Sequence, residues 1–301
     1  GAGHDGGELT DSIMIASIDP INNGATLLSI PRDLWVKPSG LWPMKINAVY
    51  VSAKNQALYN NSKDTGAAEQ AGISAIQKVV QDYMGVPVHY YGMVEFTAFR
   101  EAVDNVGGID LTLTEPYSDP TYNDGRVTFG QLTLPAGTTH VDGGLALAYA
   151  RSRYGDNRGD FGRGEHQQKV LLGIKDRVLS LGTFANPAKV TQLLDTLGNR
   201  VATSFSINDI MRIYEISKQF NATNVTNVDL AMPGKAVVTT GMVGDQSVVY
   251  PKAGIDNYDE LRSFVRNNLK DGFIIKENPS IIVLNGSTKP GAAQKRADEL
   301  T

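Results

Sequence analysis

The sequence predicts an α/β protein with a three-layer α/β/α arrangement, in which helices cover both faces of a central mixed β-sheet. Short apolar runs rich in β-branched residues, which are typical of strands, alternate with longer segments whose apolar residues recur at helical spacing. Of the 301 residues, 41% are hydrophobic and 20% are charged, so the chain has the composition of a soluble globular protein and can bury one large core.

The first two strands are predicted to form an antiparallel hairpin. Residues 12–19 and 25–30 are apolar runs separated by a turn-forming Pro-Ile-Asn-Asn-Gly segment. Pro31 ends the second run, because proline cannot donate a hydrogen bond to a strand ladder. Arg32 and Asp33 therefore follow in a loop at the edge of the sheet.

Two aspartates flank this hairpin at the same end. Asp11 precedes the first strand and Asp33 follows the second, so their carboxylates could share one site. Paired hard oxygens together with phosphate oxygens suit Mg²⁺, which rarely has an all-protein cage. The simpler alternative is that the loop after Pro31 is an ordinary turn.

Helices and strands alternate through the middle of the chain. Apolar residues at helical spacing predict a helix over residues 68–84, with Gly85 at its C-terminal end. A strand at 89–95, a helix at 97–106 and a strand at 109–113 follow.

The second half of the chain is predicted to be mainly helical. Asp142 is a favourable N-cap, and Asn186-Pro187 is a typical helix start. The predicted helices cover residues 143–150, about 164–181, the segment after Pro187, 206–220 and 256–269, with one strand at 225–231.

Three arginines are predicted to converge between two of these helices. Arg151 and Arg153 face the same way only on extended backbone, which requires the preceding helix to end near Ala150. A glycine-rich loop then places Arg163 at the start of the next helix, whose free N–H groups and positive dipole suit a phosphate.

The arginines have a simpler alternative interpretation as surface charges paired with nearby acidic residues. As a set, however, clustered guanidinium groups with glycines between them supply the bidentate forks and close backbone approach that a pyrophosphate requires. The net charge of −4 argues against binding nucleic acid or an anionic membrane by bulk positive charge. The predicted anion site is therefore local.

Other kinds of site are disfavoured by the sequence. The absence of cysteine excludes disulfides and thiolate catalysis, and the four histidines lack metal-ligand spacing. Glycines 1, 3 and 6 match a dinucleotide-binding pattern, but a strand rather than a helix follows them. Neither a nucleophile elbow nor a P-loop is present, and no apolar run approaches the roughly 20 residues that span a bilayer.

Several short motifs in a shared order resemble the LytR-CpsA-Psr family. They are LTDS at 9–12, SIPRD at 29–33, KINAVY at 45–50, VGGID at 106–110, DGG at 142–144, ALAYARSR at 146–153, DFGR at 160–163 and QQ at 167–168. The matches keep this order up to about residue 270, which makes the resemblance specific although each motif is short. The segment IIVLNGS at 281–287 is similar to the opening of the LytR C-terminal domain.

This resemblance implies a phosphotransferase that moves a glycopolymer, such as teichoic acid or capsule, from a polyprenyl-pyrophosphate carrier to peptidoglycan with the help of Mg²⁺. It implies a location at the extracytoplasmic face of the bacterial membrane, with an N-terminal anchor outside this chain. Residues 1–278 would be the catalytic domain without the family's first strand, and residues 279–301 would begin the LytR C-terminal domain.

The resemblance also implies roles for individual residues. The expected contacts to the pyrophosphate are the catalytic Arg32, Arg153 and Arg163 and the substrate-binding Arg151 and Gln167, with Lys45 nearby. The expected metal ligands are Asp11 and Asp5, and the candidate acceptors of the proton from the attacking hydroxyl are Asp33 and Asp160. His166 stands where the family often has arginine.

Two other functions remain open at this point. The same cluster could serve a pyrophosphatase that hydrolyses a lipid diphosphate with water as the nucleophile. Alternatively, the arginines could only dock a lipid or glycan in a non-catalytic binding module at the cell surface.

Overall fold

A computed structural model describes residues 9–60, 64–155, 160–182, 186–220, 224–231 and 234–269, with the backbone alone at 160, 161, 189, 193 and 199. The α-helices among these residues are α1 Val49–Asn60, α2 Thr65–Met84, α3 Phe96–Asn105, α4 Gly143–Arg151, α5 Asp160–Leu181, α6 Pro187–Leu197, α7 Ile207–Ser217 and α8 Asp259–Asn268. The strands are β1 Ile13–Asp19, β2 Gly24–Ile30, β3 Trp35–Val36, β4 Met44–Lys45, β5 Gly92–Val94, β6 Ile109–Leu113, β7 Tyr117–Asp119, β8 Leu132–Leu134, β9 Gly137–Val141, β10 Val201–Thr203, β11 Val225–Asp229, β12 Val238–Val243 and β13 Gln246–Pro251.

The sheet that supports the site is mixed, as predicted. Its strand order is β1-β2-β11, with β1 antiparallel and β11 parallel to β2. The predicted hairpin pairs Ile13 with Ile30 and Asp19 with Gly24. Asn23 adopts φ 53° in the turn, a left-handed conformation that asparagine tolerates.

Helices cover both faces of β2, which confirms the α/β/α arrangement. Leu28 and Ile30 are buried in a core that α2 and α8 complete with residues such as Met84 and Leu261. Because successive side chains alternate across a strand, Ser29 faces the opposite side. There α5 approaches so closely that a Cβ atom on Gly164 would lie 2.6 Å from the Ser29 hydroxyl.

A second core lies beside this sheet and fixes the end of α4. It joins β6, β8 and β9 to helices α3, α4 and α5 through buried residues that include Leu111, Leu132, Tyr149 and Val170. Leu132 is fully buried and Tyr149 is 1% exposed. Because α5 belongs to this second core and also packs on β2 and β11, its first turns lie beside the mixed sheet.

Local signals account for the helix ends that the sequence predicts. The Asp142 carboxylate accepts a hydrogen bond from the Leu145 N–H at 2.8 Å, and Asn186 caps α6 through the Ala188 N–H at 3.0 Å. Gly85 ends α2 with φ 70°. Side-chain acceptors satisfy N–H groups that the first turn of a helix leaves free.

The structure corrects several predicted boundaries. The strand predicted at 89–95 covers only β5, because its partner β10 is three residues long. The helix predicted from about residue 164 begins at Asp160, and the helix predicted to end near Ala150 extends to Arg151. Among the described residues, no helix is long and apolar enough to cross a membrane.

The predicted domain boundary between residues 278 and 279 lies outside the described residues, as does the segment that resembles a LytR C-terminal domain. Both stay predictions.

Gly143 provides a test of the packing that orients α4. A Cβ atom at this position would overlap the Arg100 carbonyl group, whose carbon would lie 2.8 Å away. We expect Gly143→Ala to lower the free energy of unfolding by about 1–3 kcal/mol, because the helix would have to shift. Thermal unfolding followed by circular dichroism measures this change.

Gly144→Ala is the matched control, since its Cβ atom would meet only the Asp142 carboxylate oxygen at 3.3 Å. Alanine also has a higher helix propensity than glycine, so this variant should lose much less stability than Gly143→Ala. Equal unfolding temperatures for the two variants would contradict the packing argument.

Candidate functional site

Three of the predicted arginines line one cavity of about 250 Å³. Arg151 comes from the last turn of α4, Arg153 from the extended segment after it, and Arg163 from the first turn of α5. Asp11, which precedes β1, lines the same cavity. Three guanidinium groups, from residues up to 12 positions apart in the chain, therefore line the same cavity as a carboxylate that precedes the N-terminal hairpin.

The fourth predicted arginine, Arg32, does not line this cavity and contacts it only through Asp11. Its NH1 atom donates to Asp11 Oδ1 at 2.9 Å. The backbone of Asn47 fixes both partners, because its N–H donates to the Arg32 carbonyl at 3.2 Å and its carbonyl accepts from the Thr10 N–H at 3.0 Å. The loop after β2 and the segment before β1 are thus held together by backbone hydrogen bonds.

Asp33 makes its contacts with cations. Its Oδ1 lies 2.7 Å from Lys45 Nζ, and its Oδ2 lies 3.7 Å from Arg32 Nε. Arg32 therefore stands between Asp33 and Asp11, the two carboxylates that the sequence predicts to share a site. In this arrangement they share an arginine, and Asp11 is the one that lines the cavity.

Ser152 directs the two arginines beside it. It is 1% exposed, and its hydroxyl donates to the carboxylate of Asp119 while it accepts from the Tyr117 hydroxyl at 2.6 Å. Burial raises the pKa of Asp119, but hydrogen bonds from Ser152, Thr121 and the backbone outweigh it, so the pKa is lowered. A buried carboxylate thus anchors the residue between Arg151 and Arg153.

Arg151 is held from two sides. Its guanidinium carbon lies 4.5 Å from the centre of the Phe96 ring, and its NH1 atom lies 3.8 Å from Asp124 Oδ2. Burial raises the pKa of the Tyr122 hydroxyl, which donates to Asp124 at 3.1 Å. For Asp124 itself, burial raises the pKa, but hydrogen bonds from backbone N–H groups and Tyr122 together with the charge of Arg151 lower it overall.

Gln167 joins α5 to the first hairpin and to α4. Its Nε2 atom lies 2.8 Å from the Ser12 hydroxyl and 3.4 Å from the Ala150 carbonyl oxygen. Gln167 and Arg163 also line a smaller cavity of about 20 Å³ above Ser29, which is next to the main one because Arg163 lines both. Gln167, which is predicted to contact the substrate, does not line the main cavity.

His166 points away from the cavity. It is 3% exposed and packs between the rings of Tyr117 and Tyr149, with centroid distances of 4.7 and 4.4 Å. This histidine, which stands where the resemblance implies an arginine, packs in the core against Tyr117, the residue whose hydroxyl donates to Ser152. Two other predicted residues, Asp5 and the side chain of Asp160, lie outside the described part of the chain.

Sequence reasoning missed three residues that shape the site: Phe96, Asp119 and Asp124. Asp119 carries a detectable signal, because it occupies the inward position of β7 two residues after the buried Tyr117. An aspartate at an inward strand position requires a polar partner. Phe96 has no such signal, since it lies 55 positions before Arg151 (151 − 96) and only the fold joins them.

The chain is similar to proteins of cell-wall assembly. It is 30% identical over 256 residues to the cell wall biosynthesis protein LcpA of Corynebacterium glutamicum, covering 82% of this chain and 47% of LcpA. It is 26% identical over 265 residues to the polyisoprenyl-teichoic acid–peptidoglycan teichoic acid transferase TagV of Bacillus subtilis, covering 86% of this chain and 60% of TagV. The chain thus spans about half to three fifths of the length of these relatives.

Solved structures agree on the fold. The crystal structure of B. subtilis TagV superposes with a TM-score of 0.60 at 25% identity, covering 87% of this chain and 89% of that one. A structure of TagT bound to LI-WTA superposes with a TM-score of 0.59 at 21% identity, covering 87% and 85%. Because its identity to this chain is only 21%, the similarity to TagT supports the fold alone.

The family itself is established by a match that covers most of the chain. Residues 2–254 match the LytR_cpsA_psr family, and this range contains the arginines and Asp11 described above. The match confirms the resemblance seen in the short motifs, and the chain belongs to the LytR-CpsA-Psr family.

Proposed function

We propose that this chain is the catalytic part of a phosphotransferase that moves a phosphate-linked glycopolymer from a polyprenyl-pyrophosphate carrier to peptidoglycan. The observation that carries the proposal is the convergence of Arg151, Arg153 and Arg163 with Asp11 on one cavity. A relative that is 26% identical is named a polyisoprenyl-teichoic acid–peptidoglycan teichoic acid transferase. The proposed place of action is the extracytoplasmic membrane face, where an N-terminal anchor would hold the enzyme.

The cluster suits a pyrophosphate because it presents several planar donors to one anion. Guanidinium groups bind phosphate oxygens in pairs of parallel hydrogen bonds, which fix orientation as well as charge. Arg151 is already oriented by Phe96 and Asp124, and Arg32 by Asp11. Little reorganisation is then required as negative charge shifts during transfer.

In the proposed reaction, a sugar hydroxyl of peptidoglycan attacks the phosphorus next to the glycan. A bond forms between the acceptor oxygen and that phosphorus, while the bond from phosphorus to the bridging oxygen breaks and polyprenyl phosphate leaves. The arginines would stabilise charge on the phosphate oxygens, as in other phosphoryl transfers. The hydroxyl proton must pass to a base, for which Asp160 and Asp33 stay candidates, although Asp33 contacts Lys45 and Arg32.

The described residues fit a magnesium ion held largely by its substrate. Asp11 lines the cavity with 30% of its side chain exposed, and one of its oxygens accepts from Arg32. No group of three potential ligands among His, Cys, Asp and Glu occurs in the described residues. Mg²⁺ commonly takes one or two carboxylates and completes its shell with phosphate oxygens and water, so Asp11 would hold it and the ion would neutralise phosphate charge.

Arg153→Ala tests the role of the cluster. We expect transfer to fall by about 10²- to 10³-fold, because one donor to the developing charge is removed. The assay follows glycan that becomes covalently attached to peptidoglycan fragments from a synthetic polyprenyl-pyrophosphate donor. Arg266→Ala on the exposed face of α8 is the control and should retain full activity.

The products of this assay also separate the alternative functions. Undiminished transfer by Arg153→Ala would remove that residue from the mechanism. Release of free glycan phosphate without attachment would indicate a pyrophosphatase, and donor binding without any turnover would indicate a binding module.

Asp119→Asn tests the buried anchor of the arginine segment. Because the pKa of Asp119 is lower in the folded chain than in the unfolded chain, the unfolded chain binds more protons between the two pKa values. The carboxylate therefore stabilises the fold above about pH 4, and this stabilisation is lost as the pH falls through the folded pKa. We expect the variant to be less stable at pH 7 and to lose less further stability between pH 5 and pH 3.

Thermal unfolding across this pH range measures the effect, with Asp259→Asn as the control because 87% of its side chain is exposed. Transfer activity at pH 7 should fall together with stability, since Ser152 would lose its charged acceptor. A variant with the wild-type acid profile would contradict the anchoring role.

Asp11→Asn tests the proposed metal site. We expect the Mg²⁺ concentration that gives half-maximal transfer to rise about tenfold or more, because an amide is a much weaker ligand than a carboxylate. Asp82→Asn, which removes an exposed i,i+4 pair with Lys78 on α2, is the control. Full activity of the wild type in the presence of EDTA would refute the requirement for the metal.

A further inference from the structure

One aromatic side chain at the arginine cavity is presented to solvent. Tyr154 lines the cavity, and 71% of its surface is exposed. The cavity has two other aromatic lining residues in the described part of the chain, and both are engaged. Phe96 lies under the guanidinium group of Arg151, and the hydroxyl of Tyr122 donates to Asp124. The side chain of Tyr154, by contrast, makes no hydrogen bond, ion pair or ring contact with any described residue.

The backbone that carries this ring is fixed on both sides. The Tyr154 N–H donates to the Asp119 carboxylate, which also accepts from the Ser152 hydroxyl. After Tyr154 the chain runs close to the Tyr117 ring, because a Cβ atom on Gly155 would lie 2.3 Å from that ring. Tyrosine has only two side-chain torsions, so a ring on a fixed backbone offers contact area at a low cost in conformational entropy.

The same cavity offers amide donors that the fold does not use. The Asn123 side chain is exposed and lines the cavity, and its Oδ1 atom accepts from the Gly125 N–H at 3.0 Å. This bond fixes the amide, while its nitrogen makes no hydrogen bond within the described part of the chain. An aromatic face together with a planar amide suits a sugar, whose ring has an apolar C–H face and hydroxyl groups around its edge.

An isoprenoid chain would require a different lining. Phe96 is the one wholly apolar residue among the described residues that line the cavity, and Arg151 covers its ring. The others carry charged, hydroxyl or amide groups. Contact with a hydrocarbon chain would remove these groups from water without supplying hydrogen bonds, which is unfavourable. The lining therefore favours the glycan side of the pyrophosphate over the lipid side.

We propose that Tyr154 and the Asn123 amide bind the donor sugar that is attached directly to the pyrophosphate. The tyrosine ring packs against the C–H face of this sugar, and the amide donates to its hydroxyl groups. This inference rests on the proposed transfer reaction and assigns residues to a second part of the same substrate.

The geometry of phosphoryl transfer distinguishes the donor sugar from the acceptor sugar. The attacking and leaving oxygens lie in line on opposite sides of the phosphorus, and the other three oxygens lie around its equator. The donor sugar is attached through one of these equatorial oxygens, and the arginines bind the other two. Tyr154 directly follows Arg153 and lines the same cavity, so its ring is placed for the donor sugar.

The first test measures binding and requires no turnover. Tyr154→Ala keeps the backbone N–H that donates to Asp119, so the variant should fold normally. We expect it to bind a polyprenyl pyrophosphate that carries one N-acetylglucosamine about five- to tenfold more weakly than the wild type does. Its affinity for the same polyprenyl pyrophosphate without a sugar should not change. Isothermal titration calorimetry measures both dissociation constants.

Two further variants separate ring stacking from other effects. Tyr154→Phe keeps the aromatic face and should retain the affinity for the sugar-bearing ligand. Tyr59→Ala is the matched control, because Tyr59 is a tyrosine with 90% exposure that does not line the cavity. Equal loss of affinity for both ligands in Tyr154→Ala would overturn the proposal, since the ring would then act on the lipid, the phosphates or the fold. Unchanged affinity for both ligands would overturn it as well.

The kinetics of transfer separate this inference from the proposed function. In Tyr154→Ala, the KM for the sugar-bearing donor should rise about five- to tenfold, with the KM for peptidoglycan unchanged. A rise confined to the KM for peptidoglycan would reject the donor subsite and leave the transferase intact. Selective loss of affinity for the sugar-bearing ligand, in a protein that performs no transfer, would retain the subsite and reject the transferase.

Discussion

The site depends on the direction in which Ser152 points. Its hydroxyl is buried between Asp119 and Tyr117, at the position where α4 gives way to extended backbone. Because neighbouring side chains on extended backbone face opposite ways, an inward Ser152 turns Arg151 and Arg153 outward into the cavity. Breaking this contact would remove one of the hydrogen bonds of a buried carboxylate, which typically costs about 1–3 kcal/mol.

The ion pairs around the cavity contribute little to stability. Arg32 pairs with Asp11 and Arg151 with Asp124, at 2.9 and 3.8 Å, and these partly exposed pairs contribute at most about 1 kcal/mol each. The negative charges of Asp11 and Asp124 mainly reduce the repulsion between neighbouring guanidinium groups. Each carboxylate also fixes the orientation of its arginine, so the donors are set before the ligand arrives.

The sequence predicts those parts of the fold and site that depend on local signals. The hairpin of β1 and β2, the cap at Asp142 and the strand at 109–113 each follow from residues within a few positions of one another. The spacing of Arg151 and Arg153 also predicts that they face one cavity.

Other features depend on contacts between distant parts of the chain, and local patterns do not reveal them. Asp119 meets Ser152 across 33 positions, and Lys45 meets Asp33 only because β3 and β4 pair. Helix α1 has no continuous apolar stripe, since its buried residues are Val49 and Tyr50 at one end. It is stabilised by packing on α2, where a Cβ atom on Gly72 would lie 2.7 Å from the Tyr50 ring.

The contrast between local and overall charge bears on how such an enzyme could release its product. The chain has a net charge of −4, although several guanidinium groups share one cavity. A glycopolymer with many phosphates would bind along any extended basic surface, and its release would then be slow. For the proposed transferase, a cationic cavity in an acidic chain would attract the pyrophosphate more strongly than the rest of the polymer.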